Sequence, residues 1–330
     1  MTLKAKIYCI RRHPSLIKDL VIDGKWKDIE DISAILDEKQ VLNFISDLKQ
    51  SSHYNINPKD EVKLNKLCYV EDWENREIRE TLSEIHKLHP KGFIHRKDWE
   101  WALGLIAMHR FGKLDTNSIA IGIGSGTEPI PFYLANKIQH VYATDLYETE
   151  EKWKRAAPAD FPDNPKKYAP FPYKEEALTV LRMDGTKKLE FASDSFDIAF
   201  SFSSIEHFGG RDHSGALRAL REIERVLKPE GIATITTEYI INDKKHPEFF
   251  NRQTIFSQLI DKLAVLQLVE PLDLRITSKT LDTVADFFSV DVNWDNIDED
   301  YKRNHPLILL RVRNVLFTSV MLVFQKNKDK

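Results

Sequence analysis

Apolar and polar positions follow two regimes along this chain. In residues 1–90 apolar side chains recur at helical spacing among charges: Ile29, Ile32 and Leu36, then Leu42, Ile45 and Leu48. Glu74–Leu88 repeats the pattern, with Ile78, Leu82 and Ile85 on one face. No glycine-rich turn or catalytic motif falls in this stretch. It reads as a helical extension that packs on the main domain or forms a homodimer contact, with a lid over the active site as the alternative. A further helix is expected at Asp98–Phe111, ended by Gly112 and Asp115. From Ile119 onward short apolar runs alternate with helical patterns. Strands are expected at Ile119–Ile123, Val141–Thr144, Thr179–Met183, Phe196–Phe202 and Ile232–Glu238, with a final pair at Leu307–Val312 and Leu316–Phe324. Helices are expected at Pro131–Asn136, Ala216–Leu227 and Phe256–Leu268. This alternation predicts an α/β domain over 91–330, with a mainly parallel sheet covered on both faces.

Composition narrows the function classes. The 48 basic and 51 acidic residues leave a net charge of −3, so no broad basic field is available to neutralise phosphates, and nucleic acid is not expected as a partner. Two cysteines, Cys9 and Cys68, lie far apart, which argues against a disulfide framework or a structural zinc site. The N-terminus lacks the apolar stretch of a signal peptide. The most apolar segment, Pro306–Phe324, carries Arg311, Arg313 and Asn314 at its centre, where a membrane span would suffer most from charge. A soluble, cytoplasmic protein is expected.

Two features carry the first chemistry. The run Ile119–Ala135 is an apolar strand, a Gly124-Ser125-Gly126 turn and the start of a helix. About twenty residues on, the next strand ends in Asp145. Glycines let backbone approach a ligand closely, and an acid at the tip of the following strand suits ribose hydroxyls. The dinucleotide fingerprint needs a third small residue in the helix, and Pro129 or Thr127 stands there instead. Between Asp145 and the third strand lies a proline-dense insert, 147–173, with Trp153, Phe161, Tyr168 and Phe171. It reads either as a surface loop with its own apolar cluster or as a substrate-binding flap whose aromatics stack on a sugar or ring.

Later motifs fall in order: Met183-Asp184-Gly185, then Phe191–Asp197 running into an apolar strand, Ser203-Ser204-Ile205-Glu206-His207-Phe208, and Glu224–Gly231 before the fifth strand. Over residues 95–330 this series resembles the class I S-adenosylmethionine (SAM)-dependent methyltransferases, in the broad type 11-like group with a "VLKPGG" turn. Ser204–Gly209 with Thr237-Glu238-Tyr239 also looks like methyltransferases associated with polysaccharide biosynthesis. The resemblance implies a Rossmann-like, doubly wound, seven-stranded sheet with a C-terminal antiparallel strand, and SAM as cofactor. It implies that Gly124, Ser125 and Gly126 face the methionine part, that Asp145 binds the ribose with Leu146 against the adenine, and that Asp184 and Gly185 frame the adenine. Ser201 and Ser203 would lie beside the methionine portion and the methyl group. Two positions depart from the pattern: Gly122 replaces the usual acid before the turn, and Glu128 replaces the usual third glycine. Glu128 either holds the methionine amino group or caps the following helix through its dipole, with capping the favoured reading.

Methyl transfer is an in-line bimolecular attack, so positioning supplies much of the rate. An alcohol acceptor also gains from a general base. His207, after the fourth strand, is the first candidate, against the alternative of a structural histidine. Glu206, adjacent to it, is expected to point away if this segment is helical. Glu238, at the end of the fifth strand, is the second candidate, against a surface or capping role. Arg96 can hold a carboxylate through its fork of donors. Arg211 and His213 are expected in solvent, with contact to an anionic substrate as the alternative, and Trp99 and Trp101 in core or lid packing. The expected acceptor is a hydroxyl of a small molecule or sugar/glycan precursor. No set of metal ligands is evident from spacing. The competing readings are a catalytically silent SAM-fold protein that binds a partner through its extension, and an NAD-dependent oxidoreductase.

Overall fold

The structure is a computed structural model that describes residues 21–22, 25–26, 29–51, 53–85, 94–147, 156–209, 211–286 and 306–328. Cys9, Trp153 and residues 86–93 therefore lie outside the described residues. Helices α1 (Ile29–Ser51), α2 (Arg76–Ile85) and α3 (Arg96–Arg110) precede an alternating series. That series runs β1 (Ile119–Ile123), α4 (Pro129–Ala135), β2 (His140–Asp145), β3 (Leu178–Arg182), β4 (Phe196–Phe202), α5 (Ser214–Val226) and β5 (Leu227–Ile240). It closes with β6 (Leu266–Leu268), β7 (Ala285–Asp286), β8 (Leu310–Val312) and β9 (Val315–Lys326).

The sheet has the order β3-β2-β1-β4-β5-β9-β8-β7, with β6 also paired to β9. The first five strands are parallel and β9 is antiparallel to β5. This is the expected doubly wound sheet, with nine strands where seven were expected. The two extra strands arise at one place. The outer edge of β9 is divided between β8, at Val315–Phe317, and β6, at Phe324–Lys326, with β7 beyond β8. Between them sits a piece of the N-terminal extension: Leu67 bridges Val320, Cys68 N–H donates to Ser319 at 2.9 Å and Met321 N–H donates to Lys66 at 2.9 Å. An unpaired sheet edge is a hazard, and here the extension covers it.

The expected helix Phe256–Leu268 is corrected. Helical turns run only over Arg252–Lys262, and Leu266–Leu268 is strand β6. The cause is Glu224, whose Oε1 accepts the consecutive N–H groups of Ala264, Val265 and Leu266 at 2.8, 2.5 and 3.0 Å. Those donors leave the helix ladder and the chain turns into the sheet.

The core follows from the patterns. β4, and β5 from Gly231 onward, are buried on both faces, as central parallel strands are. Val62, Leu64, Cys68, Ile78, Leu82 and Ile85 of the extension share one apolar cluster with Trp99, Leu103 and Ile106 of α3. In α1, Val41 and Ile45 are buried while Leu42 is half exposed. No helix among the described residues is long and apolar enough to cross a membrane.

Candidate active site

Parallel strands point their carboxyl ends to one edge, and ligands bind there where the order reverses. Here β1 lies between β2 and β4, so the tips of β2 and β5 fall on opposite sides of the first turn. A cavity of about 430 Å³ opens along that edge. Gly124, Ser125, Gly126, Asp145, Leu146 and Tyr147 form its wall over β1 and β2. Arg96, Lys97, Glu128, Ser203, His207 and Glu238 are also on its wall. Of the residues singled out in the sequence, Asp184, Gly185 and Ser201 are not. Asp184 is turned onto Thr186, whose N–H and hydroxyl it accepts at 2.9 and 2.7 Å. Gly185 packs against Ile123 and Phe208. Ser201 is fully buried within β4.

The first turn is built for close approach. Gly124 and Gly126 have φ of +63° and +47°, a conformation that favours glycine. A Cβ on Gly126 would come within 2.5 Å of the Ala156 carbonyl. Gly126 N–H donates to Asp145 Oδ2 at 3.0 Å, which locks the acid at the strand tip beside the turn. Burial raises the Asp145 pKa, against the backbone N–H groups of Gly126, Leu146 and Tyr147. Leu146 is 45% exposed at the rim, an apolar platform for a ring face. A nucleoside's hydroxyls and ring fit this set.

Among its described residues the insert contributes one aromatic, Tyr147, to the cavity wall. Ala156 and Ala157 line the cavity, and Ala156 accepts Thr127 N–H at 3.0 Å. Phe161 is fully buried, edge-on to Phe132 and Tyr168, with Tyr147 tilted against it.

At the β4–β5 side the cavity rests on a buried ionic network. Glu100, fully buried, receives Arg96 at 2.8 Å, Lys97 at 3.2 Å, Ser203 at 2.9 Å and Thr236 at 3.0 Å. Arg96 also pairs with Glu238 at 2.6 Å, and Lys97 with Glu128 at 2.6 Å. Glu128 occupies the N-cap position of α4, where its charge meets the helix dipole, but makes no side-chain cap hydrogen bond; its carboxylate also faces Lys97 on the cavity wall. Arg96 is on the wall too, but its fork is directed at two glutamates rather than open to an incoming carboxylate. Sequence reasoning passed over Lys97 and Glu100 altogether; the signal was two further charges in an otherwise apolar helix face.

Ser203 ends β4 at φ +46°, a strained conformation for a side chain with a Cβ. Its N–H donates to Thr236 Oγ1 at 2.9 Å and its hydroxyl to Glu100, which hold it there. The next turn is a 3₁₀ helix, Ile205–His207. Its tight pitch brings Glu206 inward, contrary to expectation. The Glu206 side chain is fully buried, with Oε2 accepting Thr237 at 3.0 Å and Oε1 3.8 Å from His207 Nε2. His207 Nδ1 contacts Glu248 Oε2 at 3.0 Å. Burial lowers the His207 pKa and outweighs Glu248, with Arg96 and Lys97 adding in the same direction, so the ring is neutral at pH 7. Burial raises the Glu238 pKa despite Arg96. Glu238 is 3% exposed, not a surface group. His213 is also corrected: it is buried against Phe250 and bonded to Gln258 at 2.6 Å.

Residues 121–235 match the family model described as a methyltransferase domain. These residues form a SAM-dependent methyltransferase domain. SAM is its cofactor, and the Gly124–Gly126 cradle with Asp145 and Leu146 fits it. Solved structures are similar to the chain at low identity. One is a proposed sarcosine dimethylglycine methyltransferase from Galdieria sulphuraria, 14% identical, covering 81% of this chain and 94% of that one, TM-score 0.44. Another is a SAM-dependent methyltransferase from Aquifex aeolicus, 15% identical, covering 73% and 97%, TM-score 0.38. A third is the [4+2]-cyclase SpnF, 16% identical, covering 76% and 91%, TM-score 0.42. No curated protein matches the chain.

Proposed function

We propose that this methyltransferase alkylates a hydroxyl of a small molecule or sugar/glycan precursor. The observation that carries this reading is the pairing, on one cavity wall, of a nucleoside-shaped set (Gly126, Asp145, Leu146) with a neutral histidine, His207, across β1. Bound SAM supplies an electrophilic methyl group.

The chain's own residues do the rest. Asp145 receives the ribose hydroxyls, with Leu146 under the adenine. Gly124–Gly126 and Ser203 border the methionine part, and Lys97 and Glu128 offer opposite charges there. Arg96 and Glu100 hold Ser203 and Glu238 in place. His207 accepts the acceptor's hydroxyl proton, and Glu248 fixes the ring and favours the imidazolium that results.

The test is transfer of labelled methyl to a panel of nucleotide sugars, glycans and small alcohols. The expected result is label on oxygen, with kcat lowered ~100-fold or more in His207→Ala and SAM affinity kept. Label on nitrogen or carbon, or none from an intact SAM-binding protein, contradicts the reading.

A further inference from the structure

The side chains of Glu206, His207 and Glu238 converge more closely than a base and two bystanders need. One ligand-type atom of each lies within 4.8 Å of the others. Glu206 and Glu238 are each 3% exposed. Each has one oxygen engaged, Glu206 Oε2 by Thr237 and Glu238 Oε1 by Arg96. The second oxygen of each, Glu206 Oε1 and Glu238 Oε2, is buried without a hydrogen-bond partner. Such an oxygen costs stability unless something positive meets it.

Charge balance points the same way. Four buried or nearly buried carboxylates, Glu100, Glu128, Glu206 and Glu238, surround this part of the cavity against two cations, Arg96 and Lys97. With all four ionised, two negative charges are left over. The third element is His207, whose Nδ1 is held by Glu248 with Nε2 turned to the Glu206 side. A carboxylate on the far ring nitrogen is the usual support of a metal-binding imidazole.

We propose that Glu206, His207 and Glu238 bind one divalent cation at the acceptor side of the cavity. Oxygens and nitrogens bound to one such ion at about 2.1 Å lie roughly 3.0 Å apart in adjacent positions and about 4.2 Å apart in opposite ones, so the three groups close in by side-chain adjustments on the order of 1 Å. Two carboxylates with one imidazole favour a first-row ion such as Mn²⁺ over Mg²⁺, which takes oxygen ligands. Three protein ligands leave positions for an acceptor hydroxyl. The ion grips the acceptor oxygen and lowers its pKa, taking over the part His207 plays without it. As the oxygen–carbon bond forms and the carbon–sulfur bond breaks, the hydroxyl proton passes to water.

This role rests on the methyl-transfer reading, but the binding itself does not. The experiment is a titration of EDTA-stripped full-length protein with Mn²⁺, followed by loss of the free ion's six-line EPR signal, with and without S-adenosylhomocysteine. Calorimetry on the same stripped protein reports nucleoside binding separately. The expected result is one equivalent of Mn²⁺ bound, weakened at least ~10-fold in Glu206→Gln and in His207→Ala. His207→Ala alters a partly exposed side chain and keeps the test open where the buried substitution disturbs folding. A full six-line signal at equimolar Mn²⁺ in both conditions overturns the proposal. So does binding that survives both substitutions.

Discussion

Phe200 lies across Gly122. A Cβ on Gly122 would come within 2.4 Å of the ring's Cζ, and Phe200 in turn stacks on Phe202 at 5.8 Å. The acid expected at position 122 from the resemblance has no room because β4 has placed a large buried ring over β1. The departure is thus a packing solution.

Gly122→Ala is therefore expected to destabilise the protein by ~1–3 kcal/mol through overpacking. Combined with Phe200→Ala, the loss falls short of the sum of the two single losses, with a coupling of ~0.5–3 kcal/mol. Urea unfolding of the four proteins measures it. Strict additivity would show that the two side chains do not compete for one space.

Asp145→Ala removes the carboxylate that the turn holds at the strand tip. Hydrogen bonds to a charged group are worth ~1.5–3 kcal/mol. SAM affinity is expected to fall roughly 10- to 150-fold, with the melting temperature of the free protein little changed. Calorimetric titration checks the first and a thermal scan the second.

Much of this was legible in the chain and some was not, for identifiable reasons. The strands β1 and β4 coincide with their predicted bounds because each is a continuous apolar run with a turn at its end. Gly124–Gly126, Asp145 and His207 were readable because each ends a strand or follows one. Glu206 was misplaced because a 3₁₀ turn differs from an α turn by a rotation no side-chain pattern reveals. The strand at Leu266–Leu268 was hidden because a distant carboxylate, Glu224, ends the helix. The ionic network of Arg96, Lys97, Glu100 and Glu238 joins α3 to β5 across more than a hundred residues, and pairings at that range leave no periodicity to read.

Arg96→Met leaves Glu100 and Glu238 buried beside one fewer cation. Removing one partner of a buried pair costs ~3–5 kcal/mol. Glu238→Gln, which keeps a hydrogen-bonding shape, is expected to cost less. Equal losses in chemical denaturation would contradict the network as described.

Asp98, in the first turn of α3, has its carboxyl pushed up to about 8 by burial and then by Glu100. The folded protein keeps that proton while the unfolded chain releases it above ~pH 3.9, so stability falls as pH rises from there towards 8. Asp98→Asn, neutral throughout, is expected to flatten this slope between pH 5 and 8. Melting curves of both proteins across that range provide the comparison. An unchanged slope would remove Asp98 as its source.

The central claim is that the cavity over Gly124–Gly126 and Asp145 holds SAM. It is tested most directly by calorimetric titration of the purified protein with SAM and with S-adenosylhomocysteine. Saturable one-to-one binding of both, weakened in Asp145→Ala, is the predicted result. No binding of either by folded protein would contradict it.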